Sequence, residues 1–94
     1  MRYLDVTVTQ DDIDHGRRHD CARCPIARAA RRLGYRRAMV DEATLDVSTV
    51  LRPKGYREWE YWRVPSRAGA WIQRFDNGLT VKPATFRFYQ RGTK

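Results

Sequence analysis

The sequence predicts an α+β fold: a small antiparallel or mixed β-sheet with two or three helices packed on one face. Three observations predict it. Leu4, Val6 and Val8 alternate with Tyr3, Asp5 and Thr7, the period of a strand with one buried face. Ile26, Ala29, Ala30 and Leu33 recur at helical spacing. The segment order, β-α-α-β-β-β-α-β, separates the helices by a meander instead of alternating them with strands.

After the first strand, Thr9 is the expected N-cap of a short helix. Gln10, Asp11 and Asp12 fill its first turn, where acids suit the positive end of the dipole. Gly16 ends it. A second helix begins near Cys21 to Pro25, with Pro25 in the first turn, where its missing N–H costs nothing. It runs to Leu33 and stops at Gly34. Its core stripe is Ile26, Ala29, Ala30 and Leu33, and Arg28, Arg31 and Arg32 are expected on the opposite, solvent side. Ala38 to Val40 reads as a short strand, and Asp41 and Glu42 turn into another at Thr44 to Leu51. The Pro-Lys-Gly turn within Arg52 to Gly55 makes a hairpin of that strand and Tyr56 to Val64. Pro65 and Ser66 open a third helix with Ala68, Trp71, Ile72 and Phe75 on one face, closed by Asn77 and Gly78. Leu79 to Val81 and Thr85 to Tyr89 form the last strand, where Pro83 predicts a bulge or an edge position. Phe75, Trp71, Ile72, Ile26, Leu33, Val6 and Val47 should be buried together. The 94 residues, without repeat, linker or low-complexity segment, make one domain.

Nineteen Lys and Arg face eleven Asp and Glu, a formal net charge of +8. All of these cations but Lys54, Lys82 and Lys94 are Arg, whose planar fork of donors suits phosphates and carboxylates. An Arg-rich genome would leave the same bias with no function attached. Between His15 and Arg37 lie Arg17, Arg18, Arg23, Arg28, Arg31, Arg32, Arg36 and Arg37, opposed within that stretch by Asp20 alone. Such a run creates a local positive potential that draws polyanions. These eight are the candidate phosphate ligands; the bland reading is a solvated helix face. No apolar run reaches the length of a membrane span, and Met1 to Thr9 lacks the layout of a signal peptide. A cytoplasmic location is therefore expected, with Cys21 and Cys24 as reduced thiols.

The stretches Asp12-Ile13-Asp14-His15-Gly16 and Cys21-Ala22-Arg23-Cys24-Pro25-Ile26-Ala27, with Asp76-Asn77-Gly78-Leu79-Thr80-Val81-Lys82-Pro83-Ala84-Thr85-Phe86 near the other end, carry a resemblance. The chain resembles a group of small bacteriophage and prophage proteins, many from actinobacterial hosts. They share a D-I-x-x-G turn, a C-x-x-C-P-I-A helix start and a D-x-G-x-x-V-x-P-x-x-F stretch. The resemblance implies a phage-type accessory protein, a class that includes inhibitors and ligand traps aimed at bacterial defences. It implies no catalytic residues, and it does not account for the arginine density.

His15, His19, Cys21 and Cys24 place four possible zinc ligands within ten residues. Zinc sites usually draw their ligand pairs from two separate elements, and here both pairs crowd one loop. A thiol-redox role would want a buried strand just before the motif. Core packing is the preferred reading of the cysteines, so no metal and no cofactor is expected. In Tyr56 to Arg63, strand alternation puts Trp59, Tyr61, Arg57 and Arg63 on one face and Tyr56, Trp62, Glu58 and Glu60 on the other. Trp59 and Tyr61 are the candidate stacking residues; the bland reading has Trp62 under a helix and Trp59 bracing the outer face. There is no Gly-rich phosphate loop, nucleophile elbow or H-E-x-x-H. The expected function is non-catalytic binding of a phosphate-bearing ligand, nucleic acid or nucleotide, by a phage-type accessory or counter-defence protein. The alternative is an inhibitor docking on an acidic surface of a host enzyme. A zinc or thiol-redox module ranks third, and a homo-oligomer with sites between chains is compatible with a small ligand trap.

Overall fold

In the computed structural model the alternation near the start becomes strand β1 (Tyr3–Val8), with Val6 and Val8 fully buried. Residues 2–90 are described; Met1 and Lys94 lie outside them. Helix α1 (Gln10–His15) is opened by a capping box. The Thr9 hydroxyl accepts the Asp12 N–H at 3.3 Å, and the Asp12 carboxylate accepts the Thr9 N–H at 2.9 Å. A loop leads to α2 (Pro25–Arg32), capped by the Cys24 sulfur, which accepts the Ala27 N–H at 3.5 Å. Strands β2 (Arg37–Val40) and β3 (Thr44–Ser48), a single 3-10 turn at Tyr56–Glu58, β4 (Glu60–Arg63), α3 (Ser66–Asp76) and β5 (Ala84–Gln90) complete the chain.

The five strands form one antiparallel sheet in the order β1-β5-β4-β3-β2. The fold is thus α+β, with three helices. Every second residue of each strand points inward: Val6, Val8, Phe86, Phe88, Trp62, Leu45, Val47, Ala38 and Val40 are all buried. Against them pack Ile26, Ala27, Ala29 and Ala30 of α2 and Ala68 and Ile72 of α3. Each large side chain so buried contributes roughly 1.5–3 kcal/mol by removal from water. The sheet curls, and α2 touches both of its edge strands, β1 and β2. The helices occupy the inner face, and the outer face of the sheet is left open.

Several sequence expectations are corrected. Leu33 is 51% exposed, not core. The helix ends at Arg32, Leu33 is its C-cap, and Gly34 at φ 113° turns the chain out of the helix toward β2. Trp71 is only partly buried. Its indole N–H donates to the Lys82 carbonyl at 2.9 Å while its ring stacks on Phe75 and meets Phe86 edge-on. Strand β3 stops at Ser48, whose hydroxyl donates to the Glu58 carbonyl and accepts the Val50 N–H, taking over from the ladder. Tyr56–Glu58 therefore coils instead of extending, and β4 starts only at Glu60. Leu79 to Val81 is not strand. Pro83 sits just ahead of β5, which keeps an unbroken register with β1 from Ala84 to Tyr89, so it marks no bulge; among the described residues β4 joins β5 only at Tyr89 and Gln90, so the Pro83 end of the strand is paired on one side alone.

Candidate phosphate-binding site

The eight arginines between His15 and Arg37 divide into three sets. Consecutive residues of a helix point about 100° apart, so Arg31 and Arg32 leave α2 on different flanks. Arg28 and Arg32, one turn apart, face α1 and β1. Arg32 grips Asp12 with two hydrogen bonds of 2.7 and 2.8 Å and donates a third, at 2.8 Å, to the Thr7 carbonyl on the open edge of β1. Arg28 reaches Asp11 at 3.3 Å and Asp12 at 3.7 Å. Asp12 is fully buried. Burial pushes its carboxyl up, but hydrogen bonds from Arg32 and Thr9 and the Arg32 charge outweigh that and hold it below the usual carboxylate range. These two arginines are fold clamps, which corrects the expectation of a free solvent face and of arginines unmatched by acids. The signal was within reach: Thr9 marks Asp12 as a capping residue on α1, but a sequence does not say which helix lies beside it.

Arg17 and Arg18 form the second set, in the loop before α2. Arg18 lies against Gly78, its guanidinium 3.4 Å from where a Cβ would stand. At φ 78°, Gly78 provides both the turn and the room for that side chain.

The remaining four, Arg23, Arg31, Arg36 and Arg37, line one pocket of about 280 Å³ with Ala22, Ala38 and Met39. Local hydrogen bonds build it. Asp20 accepts the N–H groups of Ala22 and Arg23, both at 3.1 Å, in a side-chain turn that aims Arg23. The Cys21 carbonyl accepts the Val40 N–H at 3.0 Å and seats this loop on the free edge of β2. From the last turn of α2, Arg31 donates back to the Ala22 carbonyl. Ala38 shares the alternation of Val40, so its N–H also faces that free edge. No carboxylate lines the pocket, and among the described residues none of the four arginines makes an ion pair. Four arginines on one pocket and an outward amide can hold an anion through charge-assisted hydrogen bonds.

The stacking candidates lie elsewhere. Tyr61 is partly exposed on the outer face of β4, in a row with Asp46 and Met39. Trp59 follows the 3-10 turn, partly buried, and neither ring lines the arginine pocket. Trp62 is in the core, on the inner face.

Of His15, His19, Cys21 and Cys24, the first lies apart and the other three share one groove. His15 Nδ1 lies 3.0 Å from the Asp11 carbonyl and 3.1 Å from its carboxylate. His19, Cys21 and Cys24 line an open groove of about 520 Å³ with Asp20, Asp41, Glu42 and Asp76. Its acids hold the fold together: Asp41 accepts the N–H groups of Ala43 and Thr44, Glu42 accepts from Gln73, and Asp76 accepts the His19 N–H. Among the described residues no group of three or more His, Cys, Asp or Glu is placed to hold a metal ion. Burial pushes the Cys24 thiol up to about 11, despite N–H groups of Ala27 and Ile26 that favour the thiolate. Cys21 is exposed. Among the described residues no helix is long and apolar enough to cross a membrane.

No protein-family model, curated protein or solved structure matches the chain.

Proposed function

We propose that this chain binds a phosphate-bearing ligand, nucleic acid or nucleotide, at the pocket of Arg23, Arg31, Arg36 and Arg37, and that it acts by binding, not by catalysis. One observation carries the reading: four arginines from three separate segments converge on one pocket with no carboxylate in its lining. Gathering like charges costs energy in the free protein, which an anionic ligand offsets. The net charge of +8 steers polyanions toward it. The resemblance to phage and prophage proteins supplies the setting, a counter-defence or other accessory role in the host cytoplasm. The test is the double variant Arg36→Gln/Arg37→Gln, both exposed and outside the ion pairs of the fold. Its affinity for a labelled oligonucleotide should fall, and the log–log salt slope should flatten by about 0.7 per lost contact on a single strand. Affinity and slope equal to the wild type would overturn the reading.

A further inference from the structure

The outer face of the sheet carries rings and cations in a definite order. Register sets Tyr3 opposite Tyr89, Tyr89 opposite Arg63 and Arg63 opposite Thr44. The next row toward the arginine pocket is Tyr61, Asp46 and Met39, and Met39 lines that pocket. A diagonal therefore runs from Tyr3 through Tyr89, Arg63 and Tyr61 to Met39 and the pocket mouth. It crosses all five strands, about 19 Å at the usual spacing between neighbours. Tyr3 is 53% and Tyr89 43% exposed, on a face the helices do not cover. At the far end Arg87 donates to both oxygens of Asp5, at 2.8 and 3.0 Å, and its guanidinium lies 3.9 Å from the Tyr3 ring centroid. That guanidinium remains half-exposed.

We propose that this face is a stacking platform for a single-stranded nucleic acid whose phosphates enter the arginine pocket. The proposal rests on the phosphate reading of that pocket and adds what the pocket alone leaves open, single strand over duplex. Same-face neighbours along a strand stand about 7 Å apart, a distance that splayed bases span and the closed stack of a duplex does not. Tyrosine rings and a guanidinium plane are surfaces on which bases of any identity stack. Charge complementarity selects a polyanion. Of the two carboxylates on the face among the described residues, Asp5 is already neutralised by Arg87.

The test uses fluorescence anisotropy with a labelled twelve-nucleotide oligo(dT), a duplex of equal length, and tripolyphosphate as competitor. The wild type should bind the single strand at least about tenfold more tightly than the duplex. Tyr61→Ala and Tyr89→Ala should each weaken the single strand at least about fivefold, leaving duplex binding and tripolyphosphate competition as they were. Tyr61→Phe and Tyr89→Phe, which keep the ring and pose no threat to folding, should retain wild-type affinity. Equal or tighter duplex binding, or Ala variants that bind like the wild type, would overturn the platform. The pocket fails separately: Arg36→Gln/Arg37→Gln would then leave all three ligands unaffected while the single strand still depended on the rings. Absence of binding to every ligand would sink both.

Discussion

Arg32 and Asp12 are joined by two hydrogen bonds of 2.7 and 2.8 Å, and the carboxylate is fully buried while the guanidinium is half-exposed. The same carboxylate caps α1 through Thr9. One side chain thus fixes the start of one helix and the end of another. An arginine that looks available from the sequence is spent on the fold.

Arg32→Gln should destabilise the protein by about 3 kcal/mol, because it leaves a buried charge with its capping bonds and only the more distant guanidinium of Arg28, at 3.7 Å. Arg36→Gln should stay within about 0.5 kcal/mol, as an exposed side chain outside such networks. Urea unfolding followed by circular dichroism separates them. Equal midpoints for the two variants would remove the clamp from the account.

The same pair sets a pH dependence. The Asp12 carboxyl lies below its usual range when folded, so its contribution is complete above the unfolded value of about 4 and is lost as pH falls through the folded one. Asp5, held down by its hydrogen bonds to Arg87, acts in the same direction. The melting temperature should stay level from neutrality to about pH 4 and drop below it. Arg32→Gln should lose less on acidification, so the gap between variant and wild type narrows. A gap as wide at pH 3 as at pH 7 would assign the stabilisation to something other than the ion pair.

The two thiols should differ sharply. Cys24 is buried, with its thiol at about 11, and Cys21 is exposed. A disulfide reagent at pH 8 should titrate one thiol per folded chain quickly and the second only in denaturant. Cys21→Ser should abolish the fast reaction, and survival of that reaction in the variant would show that Cys24 is open to solvent.

Local chemistry was legible in the sequence wherever a nearby residue decides the outcome. The alternation of Val6 and Val8, the Thr9 cap, Pro25 at a helix start and Gly34 at a helix end all act within a few residues, and each is realised. The failures involve distant partners. Leu33 has the right spacing for the core stripe but falls past the end of the surface that α2 covers. Tyr56 to Trp59 alternate like a strand, yet Ser48, across the connection, ends the ladder first. Of the eight candidate arginines, the four of the pocket could not be sorted from the rest. Sorting required knowing that α1 packs beside α2 and that β2 leaves an edge beside the Cys21 loop.

The last strand of the sheet to be synthesised is the one that joins its two parts. β5 lies between β1 and β4, so Tyr3 meets a partner 86 positions later and β1 has no strand neighbour until β5 arrives. On a translating ribosome the meander of β2 to β4 can pair early, while β1 waits without a strand partner, its apolar side against α2 alone. Closing so long a loop late makes for slow assembly. A chain cut within β5 would lose not a margin of the sheet but its seam, leaving two fragments and an exposed interior for proteases to find.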